Sequence, residues 1–237
     1  MKILITYLSI ILIISITLQG CSESRFAPPT KTSNLKLSVL VYDISISTDS
    51  YVMLTNNHIE KIYNSMGQNG GGTFYGLHVQ SNSLKQDPVI VNVPALQQIE
   101  IKGNAYQQAN RDRKNKQLAA EFENGKKEFC KTVSDNLILP KNHSFSDIKN
   151  SLEIACKILK NRTFERYEKS LIIISDMEND LPPNHGIDKM SPVYFDSDVK
   201  VIIVRPSGKV KIEEMIPGVN YTIYVTIDDA LNSMNPN

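Results

Sequence analysis

The chain has 237 residues, of which 41% are hydrophobic and 22% charged, and its formal net charge is +1. This composition is typical of an ordinary soluble domain. The near-neutral balance gives no basic footprint for nucleic acid, which excludes nucleic acid as the expected partner.

The first residues predict a signal peptide over residues 1–20. Met1-Lys2 precedes an almost uninterrupted Ile/Leu stretch over residues 3–18, which is too short and wrongly flanked for a membrane span. The stretch closes with Leu18-Gln19-Gly20-Cys21, which resembles the bacterial lipobox. That resemblance implies cleavage before Cys21, lipidation of Cys21 and attachment to the membrane of the bacterial cell envelope. Ser22 indicates the outer membrane, by analogy with enterobacterial sorting, and an uncleaved N-terminal anchor helix is the alternative.

Residues 21–34 predict a flexible tether from the lipidated cysteine. They are polar, contain two prolines and show no periodicity. About 200 residues remain after the tether, which is enough for a single domain with a sizeable core. We therefore expect one domain over residues 35–234.

The first strand of this domain leads into candidate metal ligands. Residues 37–42 form an apolar run typical of a strand buried on both faces, and Asp43, Ser45 and Ser47 follow at a spacing of two. Ligands bind at the carboxyl ends of strands in open α/β sheets, and oxygen groups of this kind suit Mg²⁺. The same residue types are also common in strand-to-helix turns and at helix N-caps, so the motif alone leaves both interpretations open.

The next segments predict a helix and a hairpin. Helical spacing relates five residues of the helix: Tyr51, Leu54, His58, Ile62 and Met66. His58 on that face is interpreted as a core histidine. The glycine run at residues 70–72 is interpreted as a flexible connection, because it lacks the lysine of a phosphate loop. Strands over residues 73–80 and 89–93 are expected to form a hairpin at a sheet edge.

The second half of the chain alternates helices with strands. Residues 97–133 contain a long charged helical stretch, whose charge cluster at residues 110–116 is either a solvated face or a docking surface for an acidic partner. Ser146 stands at the expected N-cap of the next helix. A buried strand over residues 171–175 then brings Asp176 to the sheet edge where Asp43 lies.

Two more strands and a terminal helix complete the pattern. The strands are predicted over residues 199–204 and 221–225, and the helix starts near Asp228. Strands that alternate with helices predict an α/β fold with a doubly wound, mostly parallel central sheet and helices on both faces.

The candidate ligands resemble the metal-ion-dependent adhesion site (MIDAS) of von Willebrand factor A-type domains. That site combines an Asp-x-Ser-x-Ser motif after the first strand, a threonine at a helix start and an aspartate after the fourth strand. The resemblance maps these positions onto Asp43, Ser45, Ser47, Ser146 and Asp176. It implies a Rossmann-like fold and a bound Mg²⁺, Mn²⁺ or Ca²⁺. Two departures are Ser146 for threonine and Met177 for the glycine that usually follows the aspartate, so the turn at Met177 is expected to differ.

Two cysteines remain besides Cys21. Cys130 and Cys156 lie on consecutive predicted helices, and the expected exported location permits a disulfide between them. Small buried thiols are the other interpretation, because free cysteine behaves as a compact hydrophobic residue.

Three function classes follow from these observations. The favoured class is a binding module whose metal takes an Asp or Glu carboxylate from a partner protein, as the resemblance implies. The alternative is a scaffold in the envelope without a working metal site. A phosphatase-type hydrolase is the least favoured class, because its motif needs an acid two residues after Asp43, where this chain has Ser45. We therefore expect no enzymatic activity.

Overall fold

The computed structural model describes residues 35–45, 53–100, 103–140, 144–181 and 191–234, all within the compact unit Ser33–Asn237. The predicted signal peptide, Cys21 and the tether lie outside the described residues, as does Ser47. Within the part of the chain that the structure describes, no helix is both long enough and apolar enough to cross a membrane.

A six-stranded sheet in the order β3-β2-β1-β4-β5-β6 forms the centre of the unit. The strands are β1 Lys36–Asp43, β2 Gly72–Val79, β3 Val89–Val93, β4 Glu168–Ile174, β5 Lys200–Val204 and β6 Tyr221–Tyr224. All neighbouring strands are parallel except β2 and β3, which form the predicted hairpin at one edge. Seven of the eight residues of β1 are buried, since the strand is central and covered on both sides.

Helices cover both faces of the sheet. Their bounds are α1 Asn56–Gln68, α2 Ala105–Leu137, α3 Ile148–Leu159, α4 Ile212–Met215 and α5 Ile227–Asn232, with short 3₁₀ helices at Ser83–Lys85 and Arg162–Phe164. Successive side chains of a strand point to opposite faces. Leu40 of β1 therefore packs with α1, α2 and α5, whereas Val39 packs with α3 and α4. The predicted doubly wound, mostly parallel α/β fold is confirmed.

The glycine run is a close-packed turn and not the predicted flexible connection. The Lys36 N–H donates to the carbonyl of Gly71 at 2.8 Å. Gly71 and Gly72 have φ values of 75° and 146°. A Cβ on Gly72 would lie 1.9 Å from the Lys36 carbonyl oxygen, so glycine is required where the backbone of β2 starts beside β1.

Two helix starts also differ from expectation. His58 is part of the α1 cap and not a core histidine, because its Nδ1 accepts the N–H of Thr55 at 3.2 Å. The long helix α2 begins at Ala105, since the Asn104 side chain accepts the N–H of Gln107 at 3.0 Å and caps it there. The charge cluster at residues 110–116 lies in the first half of α2, where no side chain is fully buried.

Candidate metal site at the carboxyl edge of the sheet

Asp43, the last residue of β1, has a fully buried carboxylate. It is 0% exposed. One carboxylate oxygen, Oδ1, accepts the N–H of Ser45 at 2.8 Å, and the other, Oδ2, accepts the hydroxyl of Ser175 at 2.7 Å. These contacts fix the carboxylate at the point where the chain leaves the sheet.

No basic side chain of the described residues lies within ion-pair distance of Asp43. An ionised carboxylate buried without a partner costs several kcal/mol, and proteins ordinarily pair such a group or use it to hold a metal ion. The amide and hydroxyl donors of Ser45 and Ser175 lower that cost but bring no formal positive charge. Among the described residues, no positive charge therefore balances an ionised Asp43 carboxylate.

Ser175 is a member of the site that the sequence interpretation missed. It follows β4 directly, and the register pairs Tyr42 with Ile174, which places Ser175 next to Asp43. Its Oγ also accepts the N–H of Met177 at 2.8 Å. The signal was available in the sequence, because two buried parallel strands that end together bring their next residues side by side.

The turn after β4 is held in an unusual backbone conformation. Met177 has φ 61°, the left-handed conformation that favours glycine, and its side chain is 1% exposed in the core on the α3 face. The N–H of Glu178 donates to Asp176 Oδ1 at 2.9 Å. The methionine thus adopts a conformation that glycine would take without strain, and Asp176 directly follows Ser175, the hydroxyl partner of Asp43.

Ser146 is joined to the same turn from the other side. Its hydroxyl donates to the carbonyl of Glu178 at 2.9 Å, and its backbone pairs with Asp180 in an antiparallel bridge. A hydroxyl has one proton and two lone pairs, so the Ser146 oxygen keeps acceptor capacity while it donates. The three segments that carry Asp43, Ser146 and Asp176 therefore meet at the carboxyl edge of β1 and β4.

The predicted N-cap role of Ser146 is wrong, because Asp147 caps α3. Asp147 Oδ1 accepts the N–H of Asn150 at 3.2 Å, and Oδ2 accepts the Asn150 side-chain amide at 2.7 Å and the N–H of Ser83 at 3.2 Å. This buried carboxylate is consumed by structural contacts. Ser146, one residue earlier, is thereby turned toward the Glu178 turn.

Among the described residues, Glu178 and Lys209 place charges of opposite sign near the Ser146 hydroxyl, at the open rim of the site. Glu178 Oε1 accepts the hydroxyl of Ser207 at 2.6 Å and lies 3.9 Å from Lys209 Nζ. Ile44 and Met177 do not line this rim, since each is 1% exposed and packs into the core. The chemistry that a bound molecule would meet there is polar.

The donor groups fit a hard divalent cation. Asp43, Ser45, Ser146 and Asp176 lie at one edge of the sheet, and Asp43 supplies a buried carboxylate that has no basic partner among the described residues. Among the described residues, no group of three or more His, Cys, Asp or Glu side chains is placed to hold a metal ion. A site here must therefore draw on the serine hydroxyls as ligands.

The candidate disulfide is not formed. Cys130 and Cys156 are both free thiols. Cys130 packs on the face covered by α2, whereas Cys156 packs on the face covered by α3, so the sheet separates them. The Cys156 thiol donates to the carbonyl of Tyr194 at 3.1 Å, and burial raises the pKa of both thiols.

The chain is similar to solved structures in fold but not in sequence. No protein-family model matches the chain, and no curated protein matches it. The solved structure described as the SpRpn10 VWA domain matches with 12% sequence identity and a TM-score of 0.36, covering 85% of this chain and 96% of that one. At these values the fold assignment rests on the strand order and register of the chain itself.

Proposed function

We propose that this protein is a membrane-anchored envelope lipoprotein whose von Willebrand factor A-like domain binds a divalent cation and, through it, a partner protein. The observation that supports the proposal most strongly is Asp43, a fully buried carboxylate without a basic partner among the described residues. It lies where open α/β sheets bind ligands. The lipidated Cys21 would hold the domain at the membrane surface, and mass spectrometry of the mature N-terminus tests that part.

The proposed ligands divide into two kinds. Ser45, Ser47 and Ser146 would contact the ion through hydroxyl oxygens, and Asp43 and Asp176 would orient its water molecules or ligate it. When bound, Mg²⁺ or Mn²⁺ supplies an under-neutralised positive charge that attracts an Asp or Glu carboxylate of the partner. The donors on Ser45 and Ser175 hold the Asp43 carboxylate in position for this role.

Partner choice depends on the rim. A metal alone would accept almost any carboxylate, so side chains around it must discriminate. Glu178 and Lys209 offer charges of both signs there. A partner segment that places its carboxylate at the metal and complements this pair would be favoured over one that brings a second acid next to Glu178.

A scaffold without a metal is the second candidate function. It is favoured by the hydrogen bonds that already engage the predicted ligands, since both oxygens of Asp43 and the hydroxyl of Ser146 have protein partners. On this view the edge is a structural network that joins three segments. No hydrolase activity is proposed for either candidate.

Isothermal titration of the full chain with Mg²⁺ or Mn²⁺ in neutral detergent tests the metal site. The wild type should take up one ion, and Asp43→Asn should abolish uptake because it removes the buried negative charge. Asp198→Asn is the control, since it makes the same change in a carboxylate at the opposite edge of the sheet, where Asp198 Oδ2 lies 3.4 Å from Lys169 Nζ. Uptake by Asp43→Asn equal to that of the wild type would favour the scaffold.

A further inference from the structure

A cavity lies at the edge of the sheet opposite the candidate metal site, where β1, β4 and β5 begin. It has a volume of about 300 Å³, at the lower end of the range for ligand pockets. Its polar lining includes Lys36, Ser38, Ser65, Glu168, Ser170 and Lys200. Along β1, Asp43 lies about 17 Å from Ser38 and about 23 Å from Lys36, so the cavity is distinct from the candidate metal site.

Positive charge exceeds negative charge in this cavity. Lys36 forms an ion pair with Glu168. Lys169 forms another with Asp198, in which Nζ lies 3.4 Å from Oδ2. Lys200, the third lysine of the lining, donates to the neutral carbonyl of Ser233 at 3.1 Å. Among the described residues that line the cavity, three lysines against two carboxylates leave one positive charge without an acidic counterpart.

Lys36 and Lys200 face each other across β4. The register pairs Lys36 with Glu168 and Lys200 with Ser170, so both lysines flank the start of the same strand. Burial lowers the pKa of Lys36, and the positive charge of Lys200 lowers it further. An anion between the two ammonium groups would relieve this repulsion.

Hydroxyl groups line the floor of the cavity. The side chains of Ser38 and Ser170 share a hydrogen bond of 2.9 Å, and Ser38 and Ser65 are 1% and 5% exposed. An ammonium group has three donors, so Lys36 and Lys200 retain donors beyond their protein contacts. Several donors converging from different sides suit a tetrahedral oxyanion, which presents acceptors in all directions, and lysine is a common phosphate binder.

The geometry points to a binding site for a phosphate-type anion in this cavity. The anion would lie between Lys36 and Lys200, with hydroxyl donors of Ser38, Ser65 or Ser170 below it. Its source is either a free phosphate or the phosphate of an anionic lipid headgroup. The headgroup source rests on the proposed lipid anchor, because β1 starts at Lys36 and the tether of residues 21–34 would keep this edge within about 50 Å of the bilayer.

Amine-reactive labelling read by mass spectrometry tests the site residue by residue. The full chain is labelled with a chelator present, first in detergent with chloride or inorganic phosphate at equal ionic strength. It is then labelled on vesicles of phosphatidylcholine alone or mixed with phosphatidylglycerol. The matched control is Lys131, an exposed lysine of α2 outside the cavity. The chelator keeps the outcome independent of the metal site.

Occupancy should slow labelling of Lys36 and Lys200 severalfold and leave Lys131 unchanged. Protection by inorganic phosphate identifies a free phosphate site, and protection on phosphatidylglycerol vesicles alone identifies a headgroup site. Lys200→Gln should weaken binding about tenfold or more, as expected for loss of one charge-assisted contact, whereas Lys131→Gln should not. Equal labelling in every arm, or equal protection of Lys131, would overturn the inference.

Discussion

Met177 combines a left-handed backbone with a buried side chain. A non-glycine residue in this conformation costs roughly 1–2 kcal/mol, which the protein offsets by burying the methionine in the α3-side core. The N–H of Met177 also donates to Ser175, the residue that holds Asp43. The strained turn and the buried carboxylate are thus parts of one arrangement.

Replacement of Met177 by glycine and by alanine separates these two effects. Both variants lose the buried side chain and should be less stable than the wild type by about 2–5 kcal/mol. Met177→Gly should nevertheless be more stable than Met177→Ala by about 1 kcal/mol, because glycine accepts a positive φ. Urea denaturation measures both. At ordinary positions an alanine variant is more stable than a glycine variant. A Met177→Ala protein more stable than Met177→Gly would therefore refute the account of strain.

The positions and roles of residues at the carboxyl edge could be predicted from the sequence to different degrees. Asp43 and Asp176 follow long buried strands, so their placement could be predicted from burial alone. Asp147 and Ser146 are adjacent polar residues, and either could cap α3. The contact with Ser83, which depends on the tertiary structure, decides for Asp147.

At the scale of elements, α1 and α2 are joined by an aromatic cluster. The ring of Tyr63 on α1 lies 4.8 Å from that of Phe122 and 5.2 Å from that of Phe129, both on α2. The Tyr63 hydroxyl donates to the Phe122 carbonyl at 2.9 Å. Gly67 permits this approach, since a Cβ there would lie 2.4 Å from the Phe122 ring.

Tyr63→Phe tests this contact through pH. Burial first, and then nearby Glu123 and Cys130, raise the pKa of Tyr63 to about 12. The folded state therefore holds the phenol proton more tightly than the unfolded chain, whose tyrosine pKa is about 10. Stability from this group is present below pH 10 and is lost as pH rises toward 12.

The free energy of unfolding of Tyr63→Phe should be about 1 kcal/mol lower than that of the wild type at neutral pH, because the hydrogen bond of the hydroxyl is missing. It should also show a smaller decline in unfolding free energy between about pH 10 and 12 than the wild type. Tyr106→Phe is the control, because Tyr106 is 76% exposed. Identical alkaline profiles for the wild type and Tyr63→Phe would show that Tyr63 does not carry the effect.

Strands were easier to predict than helix starts for a physical reason. Central strands buried on both faces are continuous apolar runs with sharp ends, as in β1 and β4. The start of α2 lies among polar residues that suit either a loop or an exposed helix, and the cap formed by Asn104 and Gln107 decides it. The close approach at Gly72 depends on β1, which the local sequence does not reveal.

At the scale of the whole domain, the two ends of the sheet have opposite chemistry. The carboxyl edge gathers acids and hydroxyls around Asp43, and the amino edge gathers lysines around Ser38 and Ser170. A parallel sheet imposes this separation, because all its strands begin at one edge and end at the other. Of the two interpretations of Cys130 and Cys156, the disulfide is wrong and the free thiols are confirmed, because α2 and α3 cover opposite faces of the sheet.

The central claim is that Asp43 belongs to a metal site, and thermal unfolding with and without Mg²⁺ tests it most directly. A ligand that binds only the folded state raises the free energy of unfolding by about 2.7 kcal/mol when its concentration is a hundred times Kd. For a domain of this size, that corresponds to a rise in Tm of roughly 5–11 °C. We expect such a rise for the full-length wild type over the same protein in excess chelator, and none for Asp43→Asn. A wild type that melts at the same temperature in both conditions, or an Asp43→Asn variant that shifts as much as the wild type, would contradict the account.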